Sequence, residues 1–225
     1  MKLNMIKGFI FDLDGVITDT AKLHYIAWKK IVAQLGINFL EEENEKLKGL
    51  SRLDTLKAIL RLKKPKNDLS QAELIKICEQ KNDLYKKLLT TEIYQNSILK
   101  GIDQLIIKAK ANKIKLAVAS SSHNAPLILE KLGLLDSFDY IVNPSEINQG
   151  KPAADIYLKA AEGLDISTDQ AIGFEDAISG LKAIKAAKMK AVVITNGSCE
   201  DFSKADLIYQ STSELNFDLI MRHFQ

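Results

Sequence analysis

Asp12 and Asp14 stand at i and i+2 in Phe9-Ile10-Phe11-Asp12-Leu13-Asp14-Gly15, and in an extended chain such a pair shares one side. They follow an apolar run that reads as a strand, and Gly15 lets the backbone turn sharply after it. Two carboxylates this close repel each other unless a cation or a shared proton relieves them. Further on, Gly173-Phe174-Glu175-Asp176 puts adjacent carboxylates at the end of a second apolar run. Carboxylates from two strand ends suit Mg²⁺, which takes one or two of them along with waters and a substrate phosphate. Ser120-Ser121-Ser122-His123-Asn124 offers hydroxyls and main-chain N–H groups at a helix start, an anion cradle. Lys151 precedes Pro152 in a loop that the proline holds extended.

Each of these has an ordinary alternative: solvated turn aspartates, Asp176 or the serines as helix caps, and Lys151 as a surface charge. Taken together, in the order Asp-x-Asp, Ser, Lys, Glu-Asp, they supply a carboxylate nucleophile, a hydroxyl and an ammonium for phosphate, and a cation site. Phosphoryl transfer needs that set, because positioning and charge neutralisation do most of its catalysis.

The elements that must position these groups are legible as patterns. Strand candidates run over residues 6–11, 114–119, 140–142, 171–174 and 191–194, with a weaker one at 207–209. Ile178, Leu181 and Ile184 mark one of the helices between them, and Leu127, Leu129 and Leu132 another. Runs apolar on both faces, alternating with helices, predict an α/β fold with a doubly wound, Rossmann-like parallel sheet. Ligands of such sheets bind beyond the carboxyl ends of the strands. From about Ala21 to Gln95 the alternation stops. This stretch is rich in Leu, Lys, Glu and Ala, which favour helix, and Leu23, Ala27, Ile31 and Leu35 form a stripe ending at Gly36. Pro65-Lys66-Asn67-Asp68 predicts a turn, and Ser70 with Glu73 a capping box. The expected organisation is a core of residues 1–17 and 96–225 and an inserted α-helical domain, 18–95.

Composition narrows the partners. The 225 residues carry 31 Lys+Arg against 29 Asp+Glu, a net charge of +2, which gives no electrostatic reason to expect nucleic acid. No apolar run approaches the roughly 20 residues of a membrane span, and no heptad pattern suggests an oligomer, so a monomer without membrane contact is expected. Cys78 and Cys199 match no metal-ligand spacing, are expected to be reduced, and fit a cytoplasmic protein.

The whole chain resembles the haloacid dehalogenase superfamily of phosphotransferases, on FDLDG (11–15), Ser120, Lys151-Pro152 and Glu175-Asp176. A closer resemblance, to members that interconvert hexose phosphates, rests on residues 12–24, Trp28, 47–52, Lys81-Asn82-Asp83 and 120–124. It implies that the substrate is a small sugar phosphate and that the helical insert is a mobile cap. It implies Asp12 as the nucleophile that becomes an aspartyl-phosphate and Asp14 as general acid/base. Mg²⁺ would be held by Asp12, the main-chain carbonyl of Asp14, Glu175 and Asp176, with Ser120 and Lys151 on the transferring phosphoryl. Arg52, Ser122, His123 and Asn124 would hold the other phosphate. Gly49, Leu50 and Ser51 would face the sugar, with Trp28, Lys81 and Ser121 also contacting substrate. Thr18 and His24 would serve the hinge; His24 and Trp28, four apart, share a helical face toward the interface, though packing alone would also explain Trp28. His123 stands where these mutases tend to have lysine, and 94–99 lacks the family's usual Tyr-Pro-Gly. A sugar-phosphate phosphatase with the same Asp12 and Asp14 is the alternative. A phosphorylatable switch module is a more distant one, which the large insert and Asp14 argue against.

Overall fold

The computed structural model describes residues 5–47, 49–63 and 69–224. The strands are β1 (Gly8–Phe11), β2 (Lys115–Val118), β3 (Tyr140–Ile141), β4 (Ala171–Glu175), β5 (Lys190–Ile194) and β6 (Leu207–Tyr209). They form one sheet in the order β3-β2-β1-β4-β5-β6, and every pairing is parallel. Chain order thus reverses at β1, between β2 and β4, and a ligand crevice belongs beyond that point. All six expected runs are strands; 207–209 matches as expected, and the other five are trimmed or extended by a residue or two.

Helices cover both faces. On one side Phe9, Phe11, Leu116, Val118, Phe174 and Val192 pack with α5 (Ile102–Ala111), α6 (Ala125–Leu132) and α9 (Phe217–Phe224). On the other, Ile10, Ala117, Ala191 and Val193 pack with α7 (Asp155–Gly163) and α8 (Ile178–Ala186). Alternate side chains of each strand point to opposite faces, and in the inner strands β1, β2, β4 and β5 both faces are largely buried, which is why these strands read as continuous apolar runs. Phe11 and Phe174 stack with centroids 4.6 Å apart and planes 11° from parallel. Their contact fixes the ends of β1 and β4, directly before the acidic residues.

Between β1 and α5 the chain forms α1 (Ala21–Ala33), α2 (Glu41–Glu45), α3 (Arg52–Lys63) and α4 (Gln71–Glu92). Leu23, Ala27 and Ile31 are buried as the stripe requires, and a turn at positive φ on Gly36 ends the first helix. The Ser70–Glu73 capping box opens α4. The turn expected at Pro65–Asp68 lies outside the described residues. These helices have an apolar core of their own, built on Trp28, Val32, Phe39, Leu56 and Ile59. Thr18 lies where the chain enters the helical insert; its backbone bridges to Ile98 on the returning segment, and its hydroxyl donates to the Ser97 carbonyl at 2.7 Å. The two connections therefore run side by side. No helix among the described residues is long and apolar enough to cross a membrane.

Candidate active site

Four loops leave the carboxyl ends of β1, β2 and β4 and the segment after β3, and they meet under the helical insert. Asp12 continues the ladder, its N–H donating to the Phe174 carbonyl at 2.9 Å. Lys151 comes in from the loop before α7, and its ammonium donates to Asp12 Oδ1 and to Glu175 Oε1, both at 2.6 Å. All three side chains are buried. Burial pushes the Asp12 carboxyl up to about 7, against the opposing pull of Lys151. Burial would lower the Lys151 ammonium, but Asp12 and Glu175 outweigh it and hold the group charged.

Glu175 is saturated by protein donors. Its Oε1 accepts from Lys151 and from the Tyr157 hydroxyl, and its Oε2 from the N–H groups of Asp176 and Ala177. Gly180 makes this possible, since a Cβ there would fall on the carboxylate. Asp176 is not the N-cap of α8; that position is Ala177. Asp12, Glu175 and Asp176 can bring ligand oxygens within 4.8 Å of one another. Asp12, Asp14 and Asp176 line the cavity and Glu175 lies behind it.

Gly15 lies against the carboxylate of the second acidic strand end. It has φ +82°, and a Cβ on it would fall on the Asp176 carboxylate. We expect Gly15→Ala to cost roughly 1–3 kcal/mol, from the left-handed backbone and the displaced carboxylate together. A urea titration measures it, and an unchanged midpoint would mean that the loop relaxes freely. Asn196, itself at positive φ, ties the same turn down from the far side by donating to the Gly15 carbonyl at 2.8 Å.

Asp14 faces the insert. It accepts from the Thr20 hydroxyl, which also meets the Tyr85 hydroxyl at 2.8 Å. Burial raises the Asp14 carboxyl above its ordinary range, and the Thr20 hydrogen bond only partly offsets this. His24 Nε2 approaches Asp14 at 3.7 Å. Burial, with Lys81 and Arg52 nearby, keeps His24 neutral, so this is no ion pair.

Lys81 is almost fully buried. Its ammonium lies 2.6 Å from His24 Nδ1 and over the rings of Tyr85 (4.4 Å) and Trp28 (5.3 Å). Burial, then Arg52, lowers it to about 7, while Asp14 pulls the other way. Between pH 7 and 10.5 the unfolded chain therefore holds a proton that the folded chain has lost, and stability rises with pH across that window. Lys81→Met should flatten this rise and stabilise the protein at pH 6–7 by roughly 1–4 kcal/mol, while lowering activity, a trade common at active sites. Denaturation midpoints at pH 6, 7, 8.5 and 10 check it; parallel pH curves for the two proteins would refute it.

Insert and core touch directly. The Ser121 hydroxyl donates to the Gly49 carbonyl at 3.2 Å and the Asn124 amide to Asn82 Oδ1 at 2.8 Å, while Gly49 sits against the Ser179 side chain. Between them lies a cavity of about 90 Å³. The core contributes Asp12, Asp14, Ser120, Ser121, Ser122, Asn124 and Asp176; the insert contributes His24, Trp28, Gly49, Leu50, Arg52 and Lys81. Ser51 and His123 line instead an adjoining groove that shares Arg52 and Ser121 with the cavity. The Ser51 hydroxyl is occupied locally, donating to Asp54 and accepting from its N–H at the start of α3. Burial and Arg52 push the His123 imidazole below its usual range. Thr18 stays outside the cavity, in the paired connections. Tyr85, Tyr157, Asn196 and Asn44, the last lining the cavity, are site residues that the sequence did not signal: tyrosines in helical apolar stripes read as packing.

A parallel sheet with acidic strand ends, a buried lysine joining them and a helical insert closing over the crevice defines a phosphoryl-transfer scaffold. Residues 6–188 match the haloacid dehalogenase-like hydrolases, and the chain belongs to that family. It is 40% identical over 220 residues to the β-phosphoglucomutase of Bacillus subtilis, covering 98% of this chain and 96% of that one. The crystal structure of a β-phosphoglucomutase from Clostridium difficile superposes with a TM-score of 0.93 at 42% identity, over 98% of this chain and 97% of that chain. A phosphorylated carbohydrates phosphatase of Thermotoga maritima is more distant, 26% identical over 83% of this chain and 84% of the relative.

Proposed function

We propose that this chain is a β-phosphoglucomutase, interconverting β-D-glucose 1-phosphate and glucose 6-phosphate through β-glucose 1,6-bisphosphate. The observation that carries the reading is the enclosed cavity, with Asp12, Asp14 and Asp176 on its core side and Arg52, Lys81 and His24 facing them from residues 18–95. One side suits phosphoryl transfer and the other suits a second phosphate, for which the Arg fork is the fitting donor. Residues 1–17 and 96–225 serve as the core, and 18–95 as the cap, hinged at the paired connections near Thr18.

An oxygen of Asp12 attacks one phosphorus of the bisphosphate, the bond from phosphorus to the sugar oxygen breaks, and Asp14 gives that oxygen its proton. The monophosphate formed carries its phosphate at the other position. In reverse, Asp14 takes the proton from a sugar hydroxyl as that oxygen attacks the aspartyl-phosphate. Ser120 and Lys151 hold the moving phosphoryl, and Arg52, Ser122, Asn124 and, at the rim, His123 hold the fixed one. The closed cap keeps water from the aspartyl-phosphate.

The residues fit Mg²⁺: hard carboxylate oxygens converge, and the missing side chain at Gly15 leaves Asp176 its place. Asp12, Asp176 and the Asp14 carbonyl would hold the ion. Glu175, grouped with them from the sequence, brings an oxygen within 4.8 Å of theirs and would complete the set, while its oxygens also accept hydrogen bonds from the protein. When bound, Mg²⁺ offsets the charge of the carboxylates and the phosphoryl oxygens.

The test is conversion of β-glucose 1-phosphate with Mg²⁺ and a trace of β-glucose 1,6-bisphosphate, coupled to glucose 6-phosphate oxidation. We expect turnover, and its loss on chelation with EDTA. Release of inorganic phosphate without glucose 6-phosphate would overturn the mutase reading in favour of a sugar-phosphate phosphatase.

A further inference from the structure

Tyr157 is fully buried on α7, beneath the acidic strand ends. Phenylalanine would fill the same space without the cost of burying a hydroxyl, so the hydroxyl calls for an account. Its partner is Glu175 Oε1, at 3.2 Å, the oxygen that also accepts from Lys151. The Lys151 ammonium in turn lies 5.3 Å from the centre of the Tyr157 ring. Two carboxylates therefore compete for one ammonium at equal distances of 2.6 Å, and the tyrosine touches only the Glu175 side of that contest.

A carboxylate offers about four acceptor positions. On Glu175 they go to Lys151, two main-chain N–H groups and the Tyr157 hydroxyl. The hydroxyl draws charge from the oxygen that faces the ammonium and blocks its rotation. Without it Glu175 would take a larger share of Lys151, and the ammonium would withdraw from Asp12 and from the place of the transferring phosphoryl.

We propose that Tyr157 is a positioning residue for phosphoryl transfer, its hydroxyl fixing Glu175 so that Lys151 stays shared with Asp12. The proposal rests on Asp12 being the nucleophile, as read above. It explains a polar atom that the mechanism leaves unused, and it separates the ring, which packs, from the hydroxyl, which acts.

The experiment uses acetyl phosphate and Mg²⁺, so that no sugar specificity enters. Asp12 forms a bond to phosphorus, the bond from phosphorus to the acyl oxygen breaks, and acetate leaves. The limiting rate and half-saturating concentration are measured for wild type and Tyr157→Phe, each normalised to its phosphorylatable fraction, with melting temperatures alongside. Displacements at a reacting centre of up to 1 Å cost as much as about 100-fold; for this smaller shift we expect a limiting rate about tenfold lower. Half-saturation should stay within about twofold and the melting temperature within a few degrees, since the ring still fills its place. A Phe variant phosphorylated at the wild-type limiting rate would overturn the proposal, as would a loss confined to half-saturation. Failure of the wild type itself to become phosphorylated would instead overturn the reading of Asp12.

Discussion

Asp12→Asn should leave no phosphoenzyme and no measurable turnover, a loss of at least about 10⁴-fold. The amide is nearly the same size, so the fold should survive, but it cannot serve as the attacking oxygen. The structure adds a second reason for so large an effect. Asp12 is one of two carboxylates on the buried Lys151 ammonium, each at 2.6 Å. With Asp12 neutralised, Lys151 would turn to Glu175 and leave the place of the phosphoryl, so nucleophile and electrostatic support are lost together. Intact mass spectrometry after incubation with the bisphosphate reads the aspartyl-phosphate directly. A phosphorylated Asp12→Asn protein would place the nucleophile elsewhere.

That such a prediction can be framed from a bare sequence reflects how parallel sheets are written. Strands covered on both faces, such as Phe9-Ile10-Phe11 and Ala191–Ile194, must be apolar throughout, and chemistry must sit where they end. Asp12, Ser120 and Asp176 therefore announced themselves by position as well as by type, and the Leu23-Ala27-Ile31 stripe announced the insert. What stayed hidden depended on distant partners. Ser51 has a local option, the N–H of Asp54, and takes it, as serines before helices do. Asp176 lies one residue before the N-cap of the next helix, and Glu175 organises that end of the crevice, its oxygen accepting from the N–H of Asp176 itself. Tyr85 and Tyr157 fall at buried helical positions where any aromatic would satisfy the pattern. Only the assembled fold shows that their hydroxyls reach Thr20 and Glu175.

The second large effect separates the two aspartates by role. Asp14→Asn should lower turnover by roughly 10²–10⁴-fold, the usual worth of general acid–base catalysis, while leaving Asp12 able to accept a phosphoryl from a donor whose leaving group needs no proton. Acetyl phosphate is such a donor, because acetate leaves unprotonated at neutral pH; a sugar alkoxide does not. The carboxyl is suited to the task by its surroundings: burial raises it above the ordinary carboxylate range, and Thr20 holds it in place. The variant should therefore be phosphorylated by acetyl phosphate within about tenfold of the wild-type rate, yet transfer to and from sugar hydroxyls at no more than about 1% of it. Asp12→Asn fails both assays and Asp14→Asn only the second. If both variants lost phosphorylation by acetyl phosphate alike, Asp14 would be shaping the nucleophile's loop through Gly15 and Thr18, and its role in moving the proton would have to be given up.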